Sequence, residues 1–319
     1  MSTAVPPIGI TTPGGSTPEF DAFGPWIDVV PDATEIPRLY RGFPIDFATT
    51  ELVLKVPRAI SRRDATPAMD LYDHLIVVGD DRLTILSRHD SWYSELTVGF
   101  EQIAIIVDSV TLLDGVLAIH TLSGETASFA YNGASEKVVA RLVDLLRSRE
   151  QAAVPALPPG APRAALIGAP LPPLGLDDLG RNDAVFVTSF GELLGREPGL
   201  RVFAAHGRRV LEVRGGAAVT LAHLVKPAIL NGALLCGSDT ELQLLSRRDW
   251  ITRGGAPEVS QSRTIVPLAK LTGVAGRPHP LYPGVEIITI TAGGASIEIV
   301  APLGSSLAES LHSAAPRRA

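Results

Sequence analysis

Leu75–Asp90, LIVVGDDRLTILSRHD, and Leu234–Asp249, LLCGSDTELQLLSRRD, align without a gap. Asp80, Leu83, Leu86, Ser87, Arg88 and Asp90 recur as Asp239, Leu242, Leu245, Ser246, Arg247 and Asp249. Each copy reads as two strands around a tight polar turn. In the first copy Gly79-Asp80-Asp81 supplies that turn, glycine reaching positive φ at little cost. The match makes the chain a tandem duplication of one β-rich module.

The flanks extend the repeat. Upstream of the first copy, Glu51–Arg63 reads as a strand, and Pro57, which donates no ladder bond, marks an edge or a bulge in it. Downstream, Leu96, Val98 and Phe100 alternate before a continuous apolar run at 103–107, which places a bend near Glu101–Gln102. Leu113–Thr121 and Glu125–Tyr131 form a hairpin around Ser123-Gly124. Ala134–Arg149 then reads as an amphipathic helix. Its stripe is Val138, Val139, Leu142, Leu145 and Leu146, and Asn132 or Ser135 caps it. In the second half, Ala184–Ser189, Leu200–Ala204 and Arg209–Arg214 read as strands. Val219–Leu230 is ambiguous between helix and strand, with Pro227 interrupting it. Gly284–Thr291, GVEIITIT, matches Gly115–Leu122, GVLAIHTL, and Ser296–Val300 matches the next strand. Leu303–Ala314 matches the helix. The interval between hairpin and Gly-Val strand is about 25 residues in the first copy and about 35 in the second, a difference that a surface loop absorbs.

Composition sets the boundaries. Residues 1–18, rich in Pro, Gly, Ser and Thr, are expected to be a tail without fixed structure. Residues 19–150 form the first module with an apolar N-terminal arm, in which Trp26 is the expected anchor. The prolines at 155, 158, 159, 162, 170, 172 and 173 make 151–181 a semi-rigid linker. The second module covers 182–315. At 319 residues, 45% hydrophobic and 19% charged, the chain is long and apolar enough for two cores. The net charge of −6 and the 5% aromatic content argue against nucleic acid as a partner. Neither a signal peptide nor a run of 18 apolar residues is present, so a cytoplasmic location is expected, with membrane contact peripheral at most. The abundance of Ala, Gly, Pro and Arg is associated with GC-rich bacteria.

The strand order, the bend and the closing helix of residues 75–147 resemble the bacterial pleckstrin-homology-like (PH-like) domains. The resemblance is carried by LYDHLIVVGDDRLTILSR, GVLAIHTLSGETASFAYN and SEKVVARLVDLLRSR, and it extends to 183–315 through the repeat. It implies a mainly β chain with minor α content. It also implies two tandem PH-like β-sandwich or barrel modules, each closed by a C-terminal helix, and binding rather than catalysis. Phosphoinositide-binding members of the wider family place Lys and Arg on their first hairpin. The matching candidates for anionic lipid here are Lys55, Arg58, Arg62 and Arg63. Arg62 and Arg63 are adjacent, which departs from that pattern, and Asp64 and Asp70 follow them.

Other chemistry finds little support. No nucleophile elbow, phosphate loop or zinc spacing occurs, so no catalytic residue, cofactor or metal is assigned. Cys236 lies in an apolar strand and reads as a buried thiol. His120 reads as a partly buried, hydrogen-bonded residue. The recurring Ser-Arg-x-Asp, followed by Trp92 and Trp250, is the main polar signature. Arg88, Asp90, Trp92, Arg247, Asp249 and Trp250 are therefore candidates for partner binding, Arg and Trp being common hot-spot residues. The structural alternative is an Arg–Asp pair closing a strand end with Trp packed over the sheet, and recurrence after duplication favours it. The sequence thus points to a non-enzymatic binding or scaffold protein, acting on a protein partner or on itself through exposed sheet edges. Peripheral binding of anionic lipid headgroups is the alternative, and an unrecognised hydrolase is the third reading.

Overall fold

The computed structural model describes residues 15–154, 171–172, 174–215, 225–254 and 259–315. The expected tail (as far as residue 14) and most of the expected linker (155–170 and 173) lie outside these residues, as does 219–224 of the ambiguous segment. The chain divides into two compact units, Met1–Asp80 with Thr84–Leu96, and Asp81–Leu83 with Thr97–Ala319. The division falls within the expected first module rather than at the proline-rich stretch.

The first unit opens with a short helix, α1 (Pro18–Ala22), capped by the Thr17 hydroxyl. An antiparallel sheet follows in the order β1 (Asp28–Val29), β2 (Leu52–Pro57), β3 (Tyr72–Val78), β4 (Arg82–His89) and β5 (Trp92–Gly99). The strand predicted from Glu51 stops at Pro57, where the register shifts, and Arg62–Asp64 is a 3-10 turn. The N-terminal arm packs on this sheet as expected, through Phe23, Val30, Ile36 and Tyr40. Its anchor is Tyr40, not Trp26. Tyr40 is fully buried and its hydroxyl reaches the carbonyls of Tyr72 (3.2 Å) and Asp73 (2.8 Å), whereas Trp26 is 51% exposed.

The second unit begins with β6 (Ile103–Thr111), β7 (Asp114–Thr121) and β8 (Thr126–Asn132), followed by α2 (Glu136–Ala153). A 3-10 turn at Phe100–Gln102 makes the predicted bend before β6. Ala184–Arg196 is a helix, α3, and not a strand. Its apolar side, including Phe186 and Leu193, packs on a core, and this tertiary burial overrides the β preference of Val185, Val187 and Thr188. The remaining strands are β9 (Arg201–His206), β10 (Arg209–Val210), β11 (Ala228–Leu230), β12 (Ala233–Gly237), β13 (Glu241–Ser246), β14 (Ile251–Arg253), β15 (Gln261–Pro267), β16 (Leu271–Pro278), β17 (Val285–Ala292) and β18 (Ala295–Pro302), and α4 (Ser306–Ala314) closes the described chain.

These strands form three antiparallel sheets. The largest runs β8-β7-β6-β15-β13-β12-β9, and the others are β10-β11-β14 and β16-β17-β18. Among the described residues no sheet closes into a barrel. The two halves share an order of elements, interrupted in the second by β10, β11 and β14. A four-stranded meander, a three-stranded meander and a helix occur twice, as β2–β5, β6–β8, α2 and as β9, β12, β13, β15, β16–β18, α4. The duplicated hairpins occupy the same place, the second and third strands of each four-stranded meander. The repeat does not keep the copies apart, however. β6 of the first copy pairs with β15 of the second, from Ile106↔Ile265 to Val110↔Gln261.

At β12 and β13 the long sheet is buried on both sides. Leu234, Cys236 and Leu245 face α3, while Leu235, Leu242 and Leu244 face β17 and α4. That explains the unbroken apolar run of β12, where a half-exposed strand would alternate. Each fully buried leucine contributes roughly 1.5–3 kcal/mol. The matched glycines of the repeat serve different ends. Gly284 adopts φ +81° in open space, whereas a Cβ on Gly115 would lie 2.3 Å from the Tyr131 ring.

Candidate functional site

The first copy of the Ser-Arg-x-Asp motif lies at the end of β4. Asp90 adopts φ +52° in the turn into β5, a conformation that Asp tolerates better than most residues. It does not pair with Arg88. Arg88 reaches back to Asp73 on β3, with Nε at 2.9 Å and a terminal nitrogen at 2.8 Å from Oδ1. Arg58 approaches the same carboxylate at 3.9 Å, so the structure brings together one lipid candidate and one partner candidate. Next along the chain, the His89 ring stacks on Trp92 with centroids 4.7 Å apart, and His89 Nε2 meets Ser94 Oγ at 2.9 Å. Trp92 is 60% exposed and is not packed over the sheet. The His74 ring holds Ser87 Oγ at 3.0 Å, and burial lowers its pKa. The end of the hairpin thus carries an accessible aromatic stack and a partly buried guanidinium–carboxylate pair.

The second copy is built for another purpose. Arg247 is buried and donates to Asp183 Oδ1 at 3.2 Å, to the Ser260 carbonyl at 2.7 Å and to the Asn182 carbonyl. Its guanidinium lies 5.0 Å from the centroid of Phe186. Asp183 is itself buried and accepts from the Gly232 amide at 2.9 Å. Asp249 contributes its backbone carbonyl to Asn231 Nδ2 at 2.8 Å, and Trp250 packs against the main core. In this copy an arginine does lock the strand end, but its partner is Asp183 and not Asp249.

The basic quartet is dispersed. Lys55 is buried, paired with Glu35 at 3.2 Å and set 5.5 Å from the Tyr72 ring centroid. It lines a cavity of about 410 Å³ together with Glu19, Arg38 and Arg41. Arg62 donates to the carbonyls of Phe20 and Phe23 and covers the Phe20 ring. Arg58 donates to the Asp70 carbonyl at 3.2 Å, and Arg63 is exposed. Three of the four charges are thus engaged in holding the N-terminal unit together.

A charge network under α2 was missed in the sequence. Arg147 donates to Glu197 and Glu241, Gln243 joins both carboxylates, and Arg263 reaches Glu197 at 3.0 Å. Nearby, Lys270 and Glu150 pair at 2.8 Å, both buried, and Lys270 Nζ donates to the Ile103 carbonyl at 2.7 Å. Burial works against the charge of Glu197, yet its bonds to Arg147 hold its carboxyl below the usual range. The signal available was Glu241 and Gln243 at alternate positions of an apolar strand, a polar stripe that needs partners on the facing layer. Cys236 is fully buried, and burial pushes its thiol up to about 12, so it is inert. His120 is partly buried and bonded to Thr126 Oγ1 at 2.8 Å, as expected.

Among the described residues no group of three or more His, Cys, Asp or Glu is placed to hold a metal ion, and no helix is long and apolar enough to cross a membrane. No protein-family model, curated protein or solved structure matches the chain.

Proposed function

We propose that the chain is a non-enzymatic binding or scaffold protein acting through two PH-like modules, with a protein as its partner. The observation that carries this reading is the exposed His89–Trp92 stack at the turn from β4 into β5. Trp is among the residues enriched at hot spots, and a large ring held in solvent is a surface that a partner would bury. The duplicated meander–meander–helix order supports the PH-like assignment. The lipid reading draws less support, because Lys55 is buried and Arg62 binds the arm's carbonyls.

Affinity capture with the wild-type chain and with Trp92→Ala tests the proposal. A partner retained by the wild type and lost from the variant is expected. The same set of proteins on both would remove Trp92 from the site. In parallel, vesicles of phosphatidylcholine with phosphatidylserine are expected to leave the chain in the supernatant, and co-sedimentation that Arg58→Glu and Arg63→Glu abolish would favour the lipid reading.

A further inference from the structure

Among the described residues, the open edges of the sheets are not equally protected. β1 and β10 are two residues long and β14 is three. β5 carries Glu95. β16 carries a register shift, Arg277 and Pro278, and β18 carries Glu298 and Pro302. β9 receives the Leu171 amide on its Val202 carbonyl at 2.7 Å and lies against α4. Charges, prolines, bulges and covering segments are the usual defences of a sheet edge. β8, TASFAYN, has no charge, proline or register shift along its seven residues.

The register shows which of its backbone groups point outward. Thr121 N donates to the Glu125 carbonyl at 2.9 Å, and Gly133 N to the Leu113 carbonyl at 2.7 Å. Antiparallel pairs alternate between bonded and non-bonded. Ala127, Phe129 and Tyr131 therefore bond to β7, while the amides and carbonyls of Thr126, Ser128 and Ala130 face away from it. The side chains of those three residues are small and exposed.

We propose that β8 pairs antiparallel with β8 of a second copy of this chain, about a twofold axis through Ser128. Thr126 then faces Ala130 of the other copy, and Ser128 faces itself, each pair exchanging two backbone hydrogen bonds. The second copy is the favoured occupant because the edge is uncharged and self-complementary in this register, as an isologous contact requires. Continuity also favours it. The opposite edge of the same meander, β6, is already joined antiparallel to β15 within the chain. The inference rests on the scaffold reading of the chain but not on the Trp92 site.

Light scattering on the full chain across a micromolar dilution series tests it. The wild type is expected to reach twice the 33.7 kDa of one chain. Ser128→Pro, which removes an outward amide, and Ser128→Lys, which sets two like charges together on the axis, are each expected to weaken the dimer at least about tenfold. Their circular dichroism should match the wild type, and the exposed Lys variant covers any folding defect of the Pro variant. Trp92→Ala should remain dimeric. A monomeric wild type, or a dimer that both Ser128 variants leave unchanged, would overturn the inference. Either result leaves the Trp92-dependent capture intact, so the two readings fail separately.

Discussion

The two copies of the hairpin keep the same arginine and use it in opposite ways. Arg88 is 18% exposed and paired with Asp73, which is 34% exposed. Arg247 is 6% exposed and paired with Asp183, which is 1% exposed. The strands differ in the same sense, for β13 is buried throughout whereas β4 surfaces at both ends. In the second copy α3 covers the strand end and turns the motif into a lock. In the first the end stays open, with Trp92 in solvent. The same residues stand in both hairpins, and the surrounding layer decides whether they are covered or left open.

The largest expected effect breaks the lock. Arg247→Met leaves Asp183 buried without its cation, which costs about 3–5 kcal/mol. Denaturant unfolding should show it, and a loss below about 1 kcal/mol would mean that solvent reaches the pair. Acid should also weaken the body that holds the second copy. His206 Nδ1 lies 3.3 Å from the Gly207 carbonyl, and its Nε2 is buried with no partner among the described residues. Burial lowers its pKa to about 4. The unfolded chain, titrating near the ordinary value of about 6.5, takes up the proton first. The contribution of neutral His206 is thus complete above that value and is lost as pH falls toward about 4. At most it amounts to about 3 kcal/mol. His206→Asn should flatten the stability profile in that window, and an unchanged slope would move the titration to another group. The smallest effect is Arg88→Met, about 1 kcal/mol or less, because water screens the pair. A loss as large as that of Arg247→Met would erase the contrast between the copies.

Much of this architecture is legible in local pattern. The ungapped hairpins, the Gly-Val strands and the bend at Phe100–Gln102 are signals of period, turn and bulge, and each lies where the residues place it. Long-range pairing is not legible in the same way. Asp73 lies 15 residues from Arg88 and Asp183 lies 64 from Arg247, so the adjacent Asp90 and Asp249 look like the obvious partners and are not. The helix at Ala184–Arg196 begins with residues that favour strands, and only the core beneath it decides otherwise. The join between β6 and β15 leaves no local trace, since any apolar strand offers the same backbone groups to a neighbour.

That join is the central claim, because it places the end of the first repeat in one body with the second. Hydrogen exchange of the full chain, read by mass spectrometry in rising denaturant, tests it directly. Peptides covering 103–132 are expected to lose protection together with 233–267, and separately from 52–96. Loss of protection at 103–132 together with 52–96, while 233–267 stays protected, would contradict it.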